Sequence, residues 1–94
     1  MFAGIDMKMT REAILAIQVE HSKWLTNTTT GKRADFSNTD LSGADLSGCN
    51  FSYANFANCN LTGARMFHGS LVGCALTVEQ LMSAHFHCIT YQYA

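Results

Sequence analysis

The chain has 94 residues, 48% of them apolar, no proline and a formal net charge of −1, which implies one domain at a size where an ordinary core is only marginally stabilising. That composition excludes a disordered tail and a loop-rich secreted scaffold, and no apolar run is long enough to cross a bilayer. The charge is unevenly placed: residues 1–33 carry five Lys and Arg against three acids, whereas residues 34–94 carry Arg65 alone against Asp35, Asp40, Asp45 and Glu79. A mildly acidic second part disfavours direct nucleic-acid contact, which uses a basic stripe to displace phosphate counterions. A protein partner is the expectation.

In chain order, a helix is predicted over residues 9–25. Thr10 is placed to cap it, and Ile14, Ile17, His21, Trp24 and Leu25 fall near one face. Residues 26–33, with a run of Thr and then Gly31, read as a loop that ends on the basic step Lys32-Arg33, a candidate partner contact.

From residue 34 to 78 a period of five takes over. Large apolar residues stand at Phe36, Leu41, Leu46, Phe51, Phe56, Leu61, Met66, Leu71 and Leu76. A small side chain precedes most of them by two positions: Ala34, Ala44, Cys49, Ala54, Cys59, Ala64, Gly69 and Cys74, with Thr39 the largest of the set. This interval matches neither the 3.6-residue helix nor the two-residue strand alternation, so another geometry must bury it. The nine large residues are the predicted core.

The stretches ADFSN, TDLSG, ADLSG, CNFSY, ANFAN and CNLTG resemble the pentapeptide-repeat family, whose unit is A-(D/N)-L-x-x. The resemblance implies an all-β solenoid: a right-handed quadrilateral β-helix of two to three coils, capped by the N-terminal helix, with side chains twenty positions apart in columns. Phe36 would then lie over Phe56 and Leu76, and Asp45 beside Arg65. It also implies that Cys49, Cys59 and Cys74 are interior packing residues rather than redox centres.

The period breaks at Glu79, because a carboxylate does not fit a small interior position without a partner. Thr77-Val-Glu-Gln80 is a capping-box pattern that opens a short helical turn, and residues 79–94 are read as a C-terminal cap and dimerisation tail. Family members pair through such an end, so the resemblance implies a homodimer through Phe86, Ile89, Tyr91 and Tyr93.

The remaining chemistry is sparse. No serine sits in a G-x-S-x-G elbow and no glycines form a phosphate cradle, so no catalysis and no cofactor are expected. His68, His85, His87 and Cys88 are the residues that suggest a metal, but they lack paired-ligand spacing, and no metal site is expected. With no secretory leader expected, the four cysteines read as reduced thiols of a cytoplasmic protein.

Asp35, Asp40 and Asp45 are candidate partner contacts. The family's known activity, acidic repeats that occupy a DNA-binding surface, makes a small phage or mobile-element inhibitor the concrete expectation. It would block a CRISPR effector or DNA gyrase sterically, with partial DNA mimicry as a component. Duplex DNA carries a charge per ~1.7 Å, so such a stub would need roughly six to eight charges; four acids less one arginine give a net of three here. A scaffold without inhibitory activity, or a metal-linked module using His68, His85 and His87, is the alternative.

Overall fold

The computed structural model describes residues 9–91; Tyr93, expected at the dimer contact, lies outside them. Helix α1 (Arg11–Thr26) begins at Thr10, whose extended backbone lets its hydroxyl accept from the Ala13 N–H at 3.1 Å. Glu12 in the first turn and Lys23 in the last complement the helix dipole. The helix packs through Ile14 and His21, both fully buried, with Ile17 half-buried beside them.

The chain then has to reverse, and it does so at Gly31. Its φ is +63°, and a Cβ there would lie 2.3 Å from the Glu20 carbonyl oxygen, so only glycine lets the loop pass this close to α1. Lys32 seals the approach by donating its N–H to the same oxygen at 3.0 Å.

Beyond residue 34 the nine large residues of the five-residue period all point inward, none more than 4% exposed. Phe36 stacks on Phe56 at 5.2 Å between ring centroids, and Phe51 meets Phe36 edge-on at 5.1 Å. Burial of a ring of this size contributes about 1.5–3 kcal/mol each. After each inward residue the chain turns, closed by bonds such as Ala44 N–H to Leu41 O and Ala54 N–H to Phe51 O, both 3.0 Å. Asn38, Gly43, Gly48, Tyr53, Asn58, Gly63, His68 and Gly73 take up the left-handed conformation at a constant interval of five.

Segments twenty residues apart lie side by side. Phe36 N–H donates to Asn55 O at 2.7 Å and Asn55 N–H to Ala34 O at 3.0 Å. Isolated parallel bridges join Asp35 to Asn55, Asp40 to Asn60, Asp45 to Arg65, Asn50 to Ser70 and Ser70 to Thr90. Among the described residues regular strand is confined to β1 (Arg65–Phe67) and β2 (His85–His87), a parallel pair in the register Arg65–His85, Met66–Phe86 and Phe67–His87.

The expected fold class is therefore corrected. The described residues form two helices and one open two-stranded sheet, not an all-β quadrilateral β-helix of several coils, and the word solenoid does not apply. The physical reason lies in the turns. A left-handed residue every five positions leaves only a residue or two extended between corners, so pairing stays at single bridges and does not lengthen into ladders.

Before β2 the chain forms α2 (Val78–Ser83), opened by a full capping box in which the Thr77 hydroxyl accepts from Gln80 N–H and the Gln80 side chain accepts from Thr77 N–H. Glu79 is thereby turned to solvent. Gln80 is buried and its amide nitrogen donates to Phe56 O at 2.8 Å and Cys59 O at 3.0 Å, pinning α2 to the core.

Candidate partner-binding surfaces

Three regions hold the candidate residues. The first is a groove of about 420 Å³ between α1 and the start of the repeat, lined by Ala16, Ile17, Glu20, Lys32, Arg33 and Asp35. It brings Lys32, Arg33 and Asp35 together. Arg33 is held in place by donating from Nε to Tyr53 O at 2.6 Å and by lying 5.9 Å from the centre of the Trp24 ring.

Asp35, Asp40 and Asp45 each have internal work. Their Oδ1 atoms accept from the N–H two residues on, Ser37 at 3.0 Å, Ser42 at 2.9 Å and Ser47 at 3.0 Å. Asn50, Asn55 and Asn60 do the same for Ser52, Ala57 and Thr62, so the acid is interchangeable with its amide as a turn-former. The Ser37 hydroxyl and N–H hold the Asp35 carboxyl below its ordinary value, helped by Arg33 and Lys32. Ser47 does this for Asp45, helped by Arg11 and Arg65.

Imitation of DNA by an acidic solenoid, and an inhibitor acting by that route, are accordingly corrected: the described residues form no such solenoid, and the Asp35 and Asp45 carboxylates are turn caps beside cations. Asp45 does lie beside Arg65 through the backbone bridge, yet its carboxylate meets Arg11 at 3.8 Å.

Arg11 and His21 are the residues that sequence reasoning undervalued. The Arg11 guanidinium donates to Asp45 O at 2.8 Å and Ser47 O at 2.9 Å, tying the start of α1 to the repeat. His21 ties the other end. Its Nδ1 accepts from Ala34 N–H at 2.9 Å, so its Nε2 carries the proton and donates to Ser52 O at 2.8 Å. Trp24 stacks on the same ring at 5.5 Å. Burial holds this imidazole below its ordinary 6.5, against the opposing bond to Ser52 and with Arg33 adding to the shift. Only the helical face of His21 was visible beforehand; its partners lie 13 and 31 positions away.

The second region is the C-terminal end. Phe86, Ile89 and Tyr91 are half-buried and pack against the core, and the Tyr91 hydroxyl is buried without a hydrogen-bond partner among the described residues. The third is the outward face of β1 and β2, where His85 and His87 flank Phe86 and stand near Phe67 and Arg65 by register. His68 and Cys88 both sit at left-handed corners. Among the described residues no group of three or more His, Cys, Asp or Glu is placed to hold a metal ion. Cys49, Cys59 and Cys74 are buried, and burial raises their thiols, Cys59 to about 11. Cys88 is exposed.

Comparison with known proteins gives one likeness. The family described as Pentapeptide repeats (8 copies) matches residues 32–66, fewer than half of the chain's 94. The likeness stops at that motif. The family's β-helix, expected from the sequence, is not the architecture of this chain. No curated protein and no solved structure matches it. Among the described residues no helix is long and apolar enough to cross a membrane.

Proposed function

We propose that the chain is a non-catalytic protein-binding module that works in the cytoplasm as a homodimer joined at its C-terminal end. The observation that carries the reading is the outward apolar surface of the last third: Val78 is 71% exposed, Met82 80% and Phe67 40%. Exposed apolar groups of this size are typical of surfaces that meet another protein. Four free thiols, one of them exposed, suit a reducing compartment. Pairing of two copies through Phe86, Ile89 and Tyr91 would cover the open edge of β2.

Analytical ultracentrifugation of the wild type and of Ile89→Asp tests the dimer: a concentration-dependent dimer is expected, lost in the variant, and a wild type that stays monomeric at all concentrations removes it. Affinity capture followed by reconstitution with the purified partner tests the binding role. A saturable complex with one protein is expected. Capture of nothing beyond what a heat-denatured sample retains would leave a scaffold acting only on itself.

A further inference from the structure

The backbone bonds between segments twenty residues apart follow a fixed spacing. Phe36, Leu41, Leu46 and Phe51, and the corner two residues after each, donate to the carbonyl nineteen positions ahead; Leu46 N–H bonds Arg65 O at 2.7 Å and Gly48 N–H bonds Phe67 O at 3.0 Å. In the return direction Arg65 N–H donates to Ala44 O at 2.8 Å and His85 N–H to Ala64 O at 2.7 Å. At the first edge of this array the spacing would have Asp45 O and Ser47 O accept from residues 26 and 28, but Thr26 ends α1 and these carbonyls are met otherwise. The Arg11 guanidinium donates to both, at 2.8 Å and 2.9 Å. Ser52 O is the counterpart of Val72 O, which accepts from Tyr53 N–H at 2.8 Å; it takes its bond from His21 Nε2, also at 2.8 Å. Three side-chain donors of α1 therefore stand in for three backbone donors, and the planar fork of an arginine suits two carbonyls at once.

The opposite edge carries the matching half of the pattern. Phe86 and Cys88 lie twenty positions after Met66 and His68, and among the described residues nothing accepts their N–H groups or donates to Ala84 O. Phe86 and Tyr91 are half-buried, whereas Met66 and Leu71, twenty positions before them, are at most 1% exposed. We infer that α1 blocks head-to-tail association of this chain, and that the occupant of the first edge, once Arg11 and His21 leave it, is the last edge of a second copy. The bonds already present set the register: Phe86 N–H donates to Asp45 O, Cys88 N–H to Ser47 O, and Asp45 N–H to Ala84 O. Phe86 and Tyr91 then extend the apolar cluster that α1 now closes with Met9, Ile14 and Ile17. A backbone edge of matching donors and acceptors is a template for another chain. Contacts between unlike ends do not close on themselves, so association continues past two copies. The two-fold pairing proposed above uses the same last edge and stops at two.

The test is sedimentation velocity over a range of concentrations, on the full chain as wild type and as Arg11→Ala/His21→Ala. Circular dichroism checks that each variant is folded; Arg11→Ala alone, which keeps His21 and Ile14 in place, carries the same test if the double variant is not. The wild type is expected to reach two copies at most. The double variant is expected to exceed two, with a mass that rises with concentration, and Arg11→Ala to do so more weakly. Adding Ile89→Asp places a carboxylate at the last edge and should stop the growth. That triple variant, tagged with a dye, should still bind the wild-type chain one to one through its open first edge. Folded variants no larger than the wild type, growth that Ile89→Asp leaves unchanged, or a tagged triple variant that does not bind the wild type would each overturn the inference. A wild type that stays monomeric would remove the two-fold pair and leave this inference standing, because the two are read from different chains.

Discussion

His21 shows how one side chain can fasten a helix whose own propensity would not hold it in place. Its two ring nitrogens satisfy a buried N–H and a buried carbonyl, and each such group left alone costs about 1–3 kcal/mol. His21→Phe keeps an aromatic ring, somewhat larger, and loses both bonds, so urea unfolding is expected to show a loss of about 2–4 kcal/mol; a variant as stable as the wild type would mean that packing alone seats α1. The pH dependence has a definite sign. Because the folded imidazole titrates below its ordinary 6.5, the unfolded chain takes the proton first. The contribution of His21 is therefore complete above pH 6.5 and falls as the pH drops from there toward the lowered folded value. The wild type should lose stability over that window by more than His21→Phe does, and parallel curves would contradict the assignment. Glycine offers a second contrast. Gly31→Ala would bring a Cβ to 2.3 Å from Glu20 O, whereas Gly43→Ala meets open space at a similar positive φ. Both should destabilise, Gly43→Ala by about 1–2 kcal/mol and Gly31→Ala by clearly more, as read from thermal midpoints.

Among the elements, the two helices were legible because their signals are local. Thr10 and Thr77 each sit three residues before the N–H they cap, and that spacing can be read from the chain alone. Thr77→Ala should cost about 1 kcal/mol. Gln80→Ala should cost more, since it also frees the carbonyls of Phe56 and Cys59 inside the molecule; a calorimetric comparison of the two variants checks the order. Strand length was not legible in the same way. A residue's small size or its place in a period of five shows that it turns inward, but strand length depends on how much extended backbone survives between corners. Among the described residues that reaches three only at Arg65–Phe67 and His85–His87. The candidate site fared similarly. The placement of Lys32, Arg33 and Asp35 on one groove follows from their adjacency, whereas the capture of Asp45 by Arg11 crosses 34 positions.

At the scale of the molecule, the core of the described residues is a single cluster reaching from Ile14 to Leu76, and within it Phe36, Phe51 and Phe56 make a three-ring contact. Phe56→Ala should cost about 3–5 kcal/mol, near the whole stability of a domain this small, so its circular dichroism at ambient temperature is expected to show substantial unfolding. The interior thiols add a convenience that the fold supplies without design. Three cysteines are stowed inside and one stands outside. A maleimide added to the native protein should therefore tag one site at once and the others only when the molecule opens. The chain thus carries its own gauge of opening, and counting labels by mass over time would report how often its interior is laid bare without any added probe.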